Sequence, residues 1–136
     1  MKVFRYLCVL FCLSTLYSGC FNRGPADRST ADPEQVALAD SILWYFQHEQ
    51  FDKIVRHFDD NLKRQLNKEQ LAAVWAQLST QFGGYTSSEF YREDKLTSVG
   101  GRVTYQSHFG SQKLYFQLTT GKGNQVTGIF FKPQPN

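Results

Sequence analysis

The chain has 136 residues, 41% of them hydrophobic and 15% aromatic, enough to bury one core of ordinary size. Its 15 basic and 12 acidic residues alternate along the sequence instead of clustering, which excludes a basic patch for nucleic acid or for capture by anionic lipid. The three cysteines, Cys8, Cys12 and Cys20, all lie near the start, so the rest of the chain has no disulfide, no cysteine-rich zinc site and no cysteine nucleophile.

Residues 1–19 have the three-part layout of an export signal: a basic start with Lys2 and Arg5, an apolar run over 6–16, and the small pair Ser18-Gly19. The run is too short to cross a bilayer, which takes about 20 apolar residues. The segment Leu16-Tyr17-Ser18-Gly19-Cys20 resembles the bacterial lipobox, with Tyr17 where that pattern prefers leucine. The resemblance implies cleavage before Cys20 and a lipid on its thiol, holding the chain to a membrane on the non-cytoplasmic side of a bacterial envelope. Phe21, where some inner-membrane lipoproteins carry aspartate, implies the outer membrane if the source has one. Loss of Lys2 and Arg5 leaves a formal charge of about +1. Residues 20–31 are polar and aperiodic and read as the lipidated N-terminus and a flexible tether. A single domain is expected over 32–136.

That domain opens with Asp32 as a helix cap and Pro33 at the first helical position, followed by Val36, Ala39, Ile42, Leu43 and Phe46 at helical spacing. A second helical pattern carries Phe51, Ile54, Val55, Phe58, Leu62 and Leu66, with a joint near Asp59-Asp60-Asn61. Asn67-Lys68-Glu69-Gln70 is a capping box, and Leu66 can staple onto Leu71. The third helix then buries Leu71, Val74, Trp75, Leu78 and Phe82 and stops at Gly83-Gly84.

After Gly84 the period changes from helical to alternating. Four strands are predicted, over 86–96, 102–109, 112–119 and 125–132, with turns at Gly100-Gly101, Gly110-Ser111 and over 121–124. Connections this short make neighbouring strands antiparallel. The predicted class is α+β, three N-terminal helices packed on one face of a curved four-stranded antiparallel sheet.

This order of elements, with the Phe51-Asp52 segment, the helix from Gln70-Leu71 to Trp75, the Gly83-Gly84 stop and the closing Gly128-Ile129-Phe130-Phe131, resembles a bacterial domain of unknown function numbered 3887. The resemblance covers roughly 37–133 and implies the cone-shaped fold named after nuclear transport factor two. That domain occurs alone or ahead of an α/β-hydrolase and carries no catalytic residues to transfer. The wider superfamily includes isomerases, dehydratases, ligand carriers and dimerisation modules, so fold alone selects no function.

Individual motifs narrow the field. No G-x-S-x-G elbow is present, and Ser98-Val99-Gly100-Gly101 reads as a hairpin turn. His48, His57 and His108 lack ligand spacing, so neither metal nor cofactor is expected. Tyr105 and Ser107 share strand parity with Val103 and Phe109 and face the interior, where Trp75 can roof them as a pocket, although no acid falls on that parity in the two central strands. The opposite face carries Arg102, Thr104, Gln106 and His108 beside Tyr115, Gln117 and Thr119. Phe130 and Phe131 are consecutive and point to opposite faces. One of them therefore joins Tyr115 as an apolar spot suited to a dimer or another envelope protein.

Two functions are expected in that order: a non-catalytic binding or interaction module without catalytic residues, or a small-molecule carrier or isomerase-like enzyme using Trp75, Tyr105 and Ser107. Metabolic palmitate labelling tests the lipid anchor. The wild-type chain is expected to label and the Cys20→Ser variant to lose the label; equal labelling of both overturns lipidation at Cys20.

Overall fold

The computed structural model describes residues 24–134; the signal and lipobox reading, Cys20 included, lies outside the described residues. Helix α1 (Pro33–Gln47) starts at the expected cap, where the Asp32 carboxylate accepts hydrogen bonds from the N–H groups of Glu34 and Gln35 at 2.9 and 3.4 Å. Its buried stripe is Val36, Ala39, Ile42, Leu43 and Phe46.

The second helical segment divides into α2 (Phe51–Arg56) and α3 (Asp60–Gln65), so the described residues form four α-helices where three are expected. The cause is tertiary. Val126 N–H donates to His57 O at 2.8 Å and Asp59 N–H to Val126 O at 2.9 Å, making a parallel bridge at Phe58. Backbone groups used there cannot continue a helical ladder. Asp59 then caps α3, its side chain accepting from Leu62 N–H at 2.7 Å. Helix α4 (Lys68–Phe82) opens with the capping box: Asn67 and Gln70 each accept from the other's backbone N–H at 2.9 Å.

Strands β1 (Tyr85–Lys95), β2 (Gly101–Phe109), β3 (Gln112–Thr120) and β4 (Val126–Pro133) form an antiparallel meander in chain order. Their ends fall within a residue of the alternating runs, and the class is α+β. Register decides which face each side chain serves. Tyr105, Phe116 and Phe131 lie side by side, as do Val103, Leu118 and Ile129, and these rows face the helices. Gln106, Tyr115 and Lys132 form a row on the open face, next to Thr104, Gln117 and Phe130. Irregularities between Tyr85 and Ser87 and between Phe90 and Arg92 shift the β1 register.

The end of α4 meets the β2–β3 turn glycine against glycine. Gly83 has φ 99° and Gly110 φ 54°; a Cβ on Gly83 would lie 2.9 Å from Gly110 Cα, and one on Gly110 2.7 Å from the Phe82 carbonyl. The helix layer is thereby seated directly on a turn of the sheet.

Between the layers, the Phe46 ring lies 5.1 Å from Trp75, 5.5 Å from Phe131 and 6.3 Å from Phe116, centroid to centroid. Trp75 is also 5.4 Å from Phe109. The polar segment read as a tether is docked from Ala26 onward. Ala26 N–H donates to Tyr91 O at 2.7 Å, and Arg28–Thr30 form a 3-10 turn capped by Asp27. Its polarity reflects a surface strap along the sheet edge.

Phe46→Ala removes the ring shared by both layers and is expected to cost about 3–5 kcal/mol of unfolding free energy in urea titration. A loss below about 1 kcal/mol would place the centre of the core elsewhere.

Candidate functional site

The sequence that makes α1 amphipathic also sets a carboxylate at the margin of its buried stripe. Asp40 follows fully buried Ala39 and is four residues on from Val36, so its side chain reaches the seam between helix and sheet. There it accepts a hydrogen bond from the phenol of Tyr105, a residue only 2% exposed. Its second oxygen accepts from the Arg28 guanidinium, which descends from the strap. Arg28, Asp40 and Tyr105 thus come from three separate segments and meet at one carboxylate.

Around them lies a cleft of about 200 Å³ lined also by Leu43, Trp44, Gln47, Tyr85 and Ser88. Tyr85 O–H donates to Ser88 Oγ at 2.9 Å, and Ser88 Oγ shares a hydrogen bond with Ser107 Oγ at 2.6 Å. Ser107 is fully buried beneath that pair. Trp44 is 47% exposed and stacks on the His48 ring at 3.9 Å. The wall of the cleft is therefore aromatic and hydroxylic, and its one formal anion already holds two donors.

Burial pushes the Tyr105 phenol above its ordinary value of 10.0, and the Asp40 carboxylate raises it further. The Arg28 guanidinium is also raised, chiefly by its hydrogen bond to Asp40. At neutral pH the Tyr105 proton stays on oxygen, so the phenol acts as a donor. In chemical terms the group is a carboxylate oriented by a buried phenol and facing a cation, an arrangement suited to gripping a positive charge.

Of the three expected pocket residues, Tyr105 lines the cleft and Ser107 reaches it through Ser88. Trp75 lies in the aromatic core against Phe46, Tyr85, Phe109 and Phe131. Sequence parity finds Tyr105 but not its acid, because Asp40 arrives from α1 and only strand residues share strand parity. The available signal was its place beside Ala39 on the buried stripe. Arg28 carries no such signal, since it lies in a polar stretch that no periodicity assigns.

On the open face of the sheet, Tyr115 is half-buried, 5.0 Å from the Tyr91 ring, and its hydroxyl accepts from the Gln134 amide at 3.0 Å. Phe130 is 40% exposed with Lys132 Nζ 5.6 Å from its ring, while Phe131 turns into the core. Burial and the neighbouring Arg102 charge lower the Lys132 ammonium. Among the described residues, no group of three or more His, Cys, Asp or Glu side chains gathers to hold a metal ion, and no helix is long and apolar enough to cross a membrane.

Helices followed by an antiparallel meander, with polar groups gathered at the seam, define an α+β domain. The family described as protein of unknown function (DUF3887) matches residues 39–129, and the chain belongs to it. No curated protein and no solved structure matches the chain.

Because the folded phenol holds its proton where the unfolded chain releases it, the contribution of Tyr105 is complete below pH 10.0 and is lost as pH rises above that value. Tyr105→Phe is expected to cost about 1 kcal/mol at neutral pH, Asp40 being partly solvated, and to flatten the alkaline fall in stability. Urea titrations across pH check both effects, and an unchanged alkaline limb would rule out this phenol as its source.

Proposed function

We propose that the chain is a bacterial envelope lipoprotein, anchored through Cys20, whose domain is a non-catalytic interaction module of the cone-shaped kind named after nuclear transport factor two. The reading is carried by one observation on the open face of the sheet. Arg102 Nε, His108 Nε2, Gln117 Oε1 and Thr119 Oγ1 are shielded from water there and have no hydrogen-bond partner. A buried polar atom left in that state costs about 1–3 kcal/mol, so this face gains from a partner whose docking shifts these side chains enough to pair them.

The interior supports the same reading. Small-molecule pockets span roughly 300–1,000 Å³. Here rings from Phe46, Trp75, Phe109, Phe116 and Phe131 fill the space between helices and sheet, the cleft at the seam holds about 200 Å³, and the larger groove of about 650 Å³ lies outside the core, open to solvent between the strap and α1.

Phe130 and Tyr115 supply apolar area beside the polar atoms, as the centre of a protein interface does. The like charges of Arg102 and Lys132 repel each other, which favours a partner that brings acidic groups. Glu89 on β1 lies opposite Gln106 on the same face, so a second copy could bring this acid to Arg102 and Lys132, as could another envelope protein of acidic surface.

Replacing Tyr115 and Phe130 together by Ser is expected to weaken association at least about tenfold, taking only about 1–2 kcal/mol for the two anchors. Sedimentation equilibrium reads the homodimer, and quantitative capture of a cross-linked envelope partner reads the heterologous case. Association of undiminished strength in both assays would remove the open face from consideration.

A further inference from the structure

We propose that the seam cleft is a receptor for an arginine-bearing peptide turn, and that the chain's own residues 26–31 occupy it as a displaceable stand-in. The strap makes two contacts that together describe a ligand. Ala26 N–H donates to the Tyr91 carbonyl on the outer edge of β1, the contact an added strand would make. Two residues later the Arg28 guanidinium lands on the Asp40 carboxylate, whose other oxygen is held by Tyr105. A backbone donor followed at that spacing by a guanidinium is a peptide pattern, and the protein already recognises it in its own sequence.

The receiving side is buried and the occupant lies on the surface. Tyr105 is 2% exposed and packed between the Phe90 and Phe116 rings, so its hydroxyl presents a fixed donor to the Asp40 carboxylate. The 3-10 turn of the strap, by contrast, buries no residue. Beneath it an open groove of about 650 Å³ separates the turn from α1. The Arg28 and Asp40 side chains are 52% and 43% exposed, and an ion pair so open to water is weak. A segment whose contacts include one backbone hydrogen bond to β1, an exposed ion pair and the Asp32 N–H bond to Glu93 is readily exchanged for a peptide that repeats its pattern.

The proposal concerns the opposite side of the sheet from Tyr115 and Phe130 and does not rest on the open-face reading. Its test uses the full chain in detergent and a fluorescent, N-acetylated peptide copying residues 26–31, with binding read by anisotropy. Arg28→Ala removes the internal competitor and is expected to raise affinity for the peptide about tenfold, as it would for a site whose free fraction is about one tenth. Adding Asp40→Asn to that variant is expected to abolish the gain, and a peptide with citrulline in place of arginine is expected not to bind. Equal affinity of wild type and Arg28→Ala, retention of the roughly tenfold gain by the Arg28→Ala, Asp40→Asn pair, or undiminished binding of the citrulline peptide would each overturn the proposal. So would absence of binding to an Arg28→Ala chain whose urea midpoint matches wild type.

Discussion

The ring of Phe46 is where the two layers of this domain are joined. It lies within stacking or edge distance of Trp75 on α4, Phe51 on α2, Phe116 on β3 and Phe131 on β4, so one side chain from the first helix ties together two other helices and two strands. Aromatic rings dominate cores because each buries a large apolar area and prefers offset or edge contacts. A cluster built this way resists sliding, since moving any one element breaks several ring contacts together. The glycine contact between Gly83 and Gly110 then locks the far end of α4 to the sheet.

A core that full of rings displaces polar groups to its margins, and the margins are where this protein's chemistry lies. Asp40 sits at the edge of the α1 stripe and Tyr105 on the sheet beneath it, their bond closing the seam between helix and sheet. The hydroxyl chain of Tyr85, Ser88 and Ser107 lies along the same edge. On the other side of the sheet, Arg102, Gln117 and Thr119 carry polar atoms that neither water nor neighbouring side chains satisfy. Two chemically different surfaces thus arise from one constraint: a sheet buried on one face must send alternate residues to the other.

Membership of a family of unknown function assigns no activity, so the roles argued for these surfaces rest on this chain's own residues. The seam favours cations, through a carboxylate that a buried phenol orients. The open face brings the like charges of Arg102 and Lys132 together, which is what the proposed acidic partner would meet. The two proposed roles do not compete for the same residues, because the sheet and its filled core separate the two surfaces.

The sequence alone determined the elements that depend on local rules. Asp32-Pro33 and the Asn67 to Gln70 box marked helix starts because caps act within a few residues, and alternation marked the strands because side-chain period follows from backbone geometry. It also separated Phe130 from Phe131, as consecutive strand residues must face apart. Tertiary structure decided what depends on contacts distant in the chain. The division of α2 from α3 comes from Val126, nearly seventy positions beyond Phe58. The strap is ordered by Tyr91 and Asp40, and the seam exists only where Arg28, Asp40 and Tyr105 converge. Local rules read neighbours along the chain; a site assembled from three segments is written in the packing that brings them together.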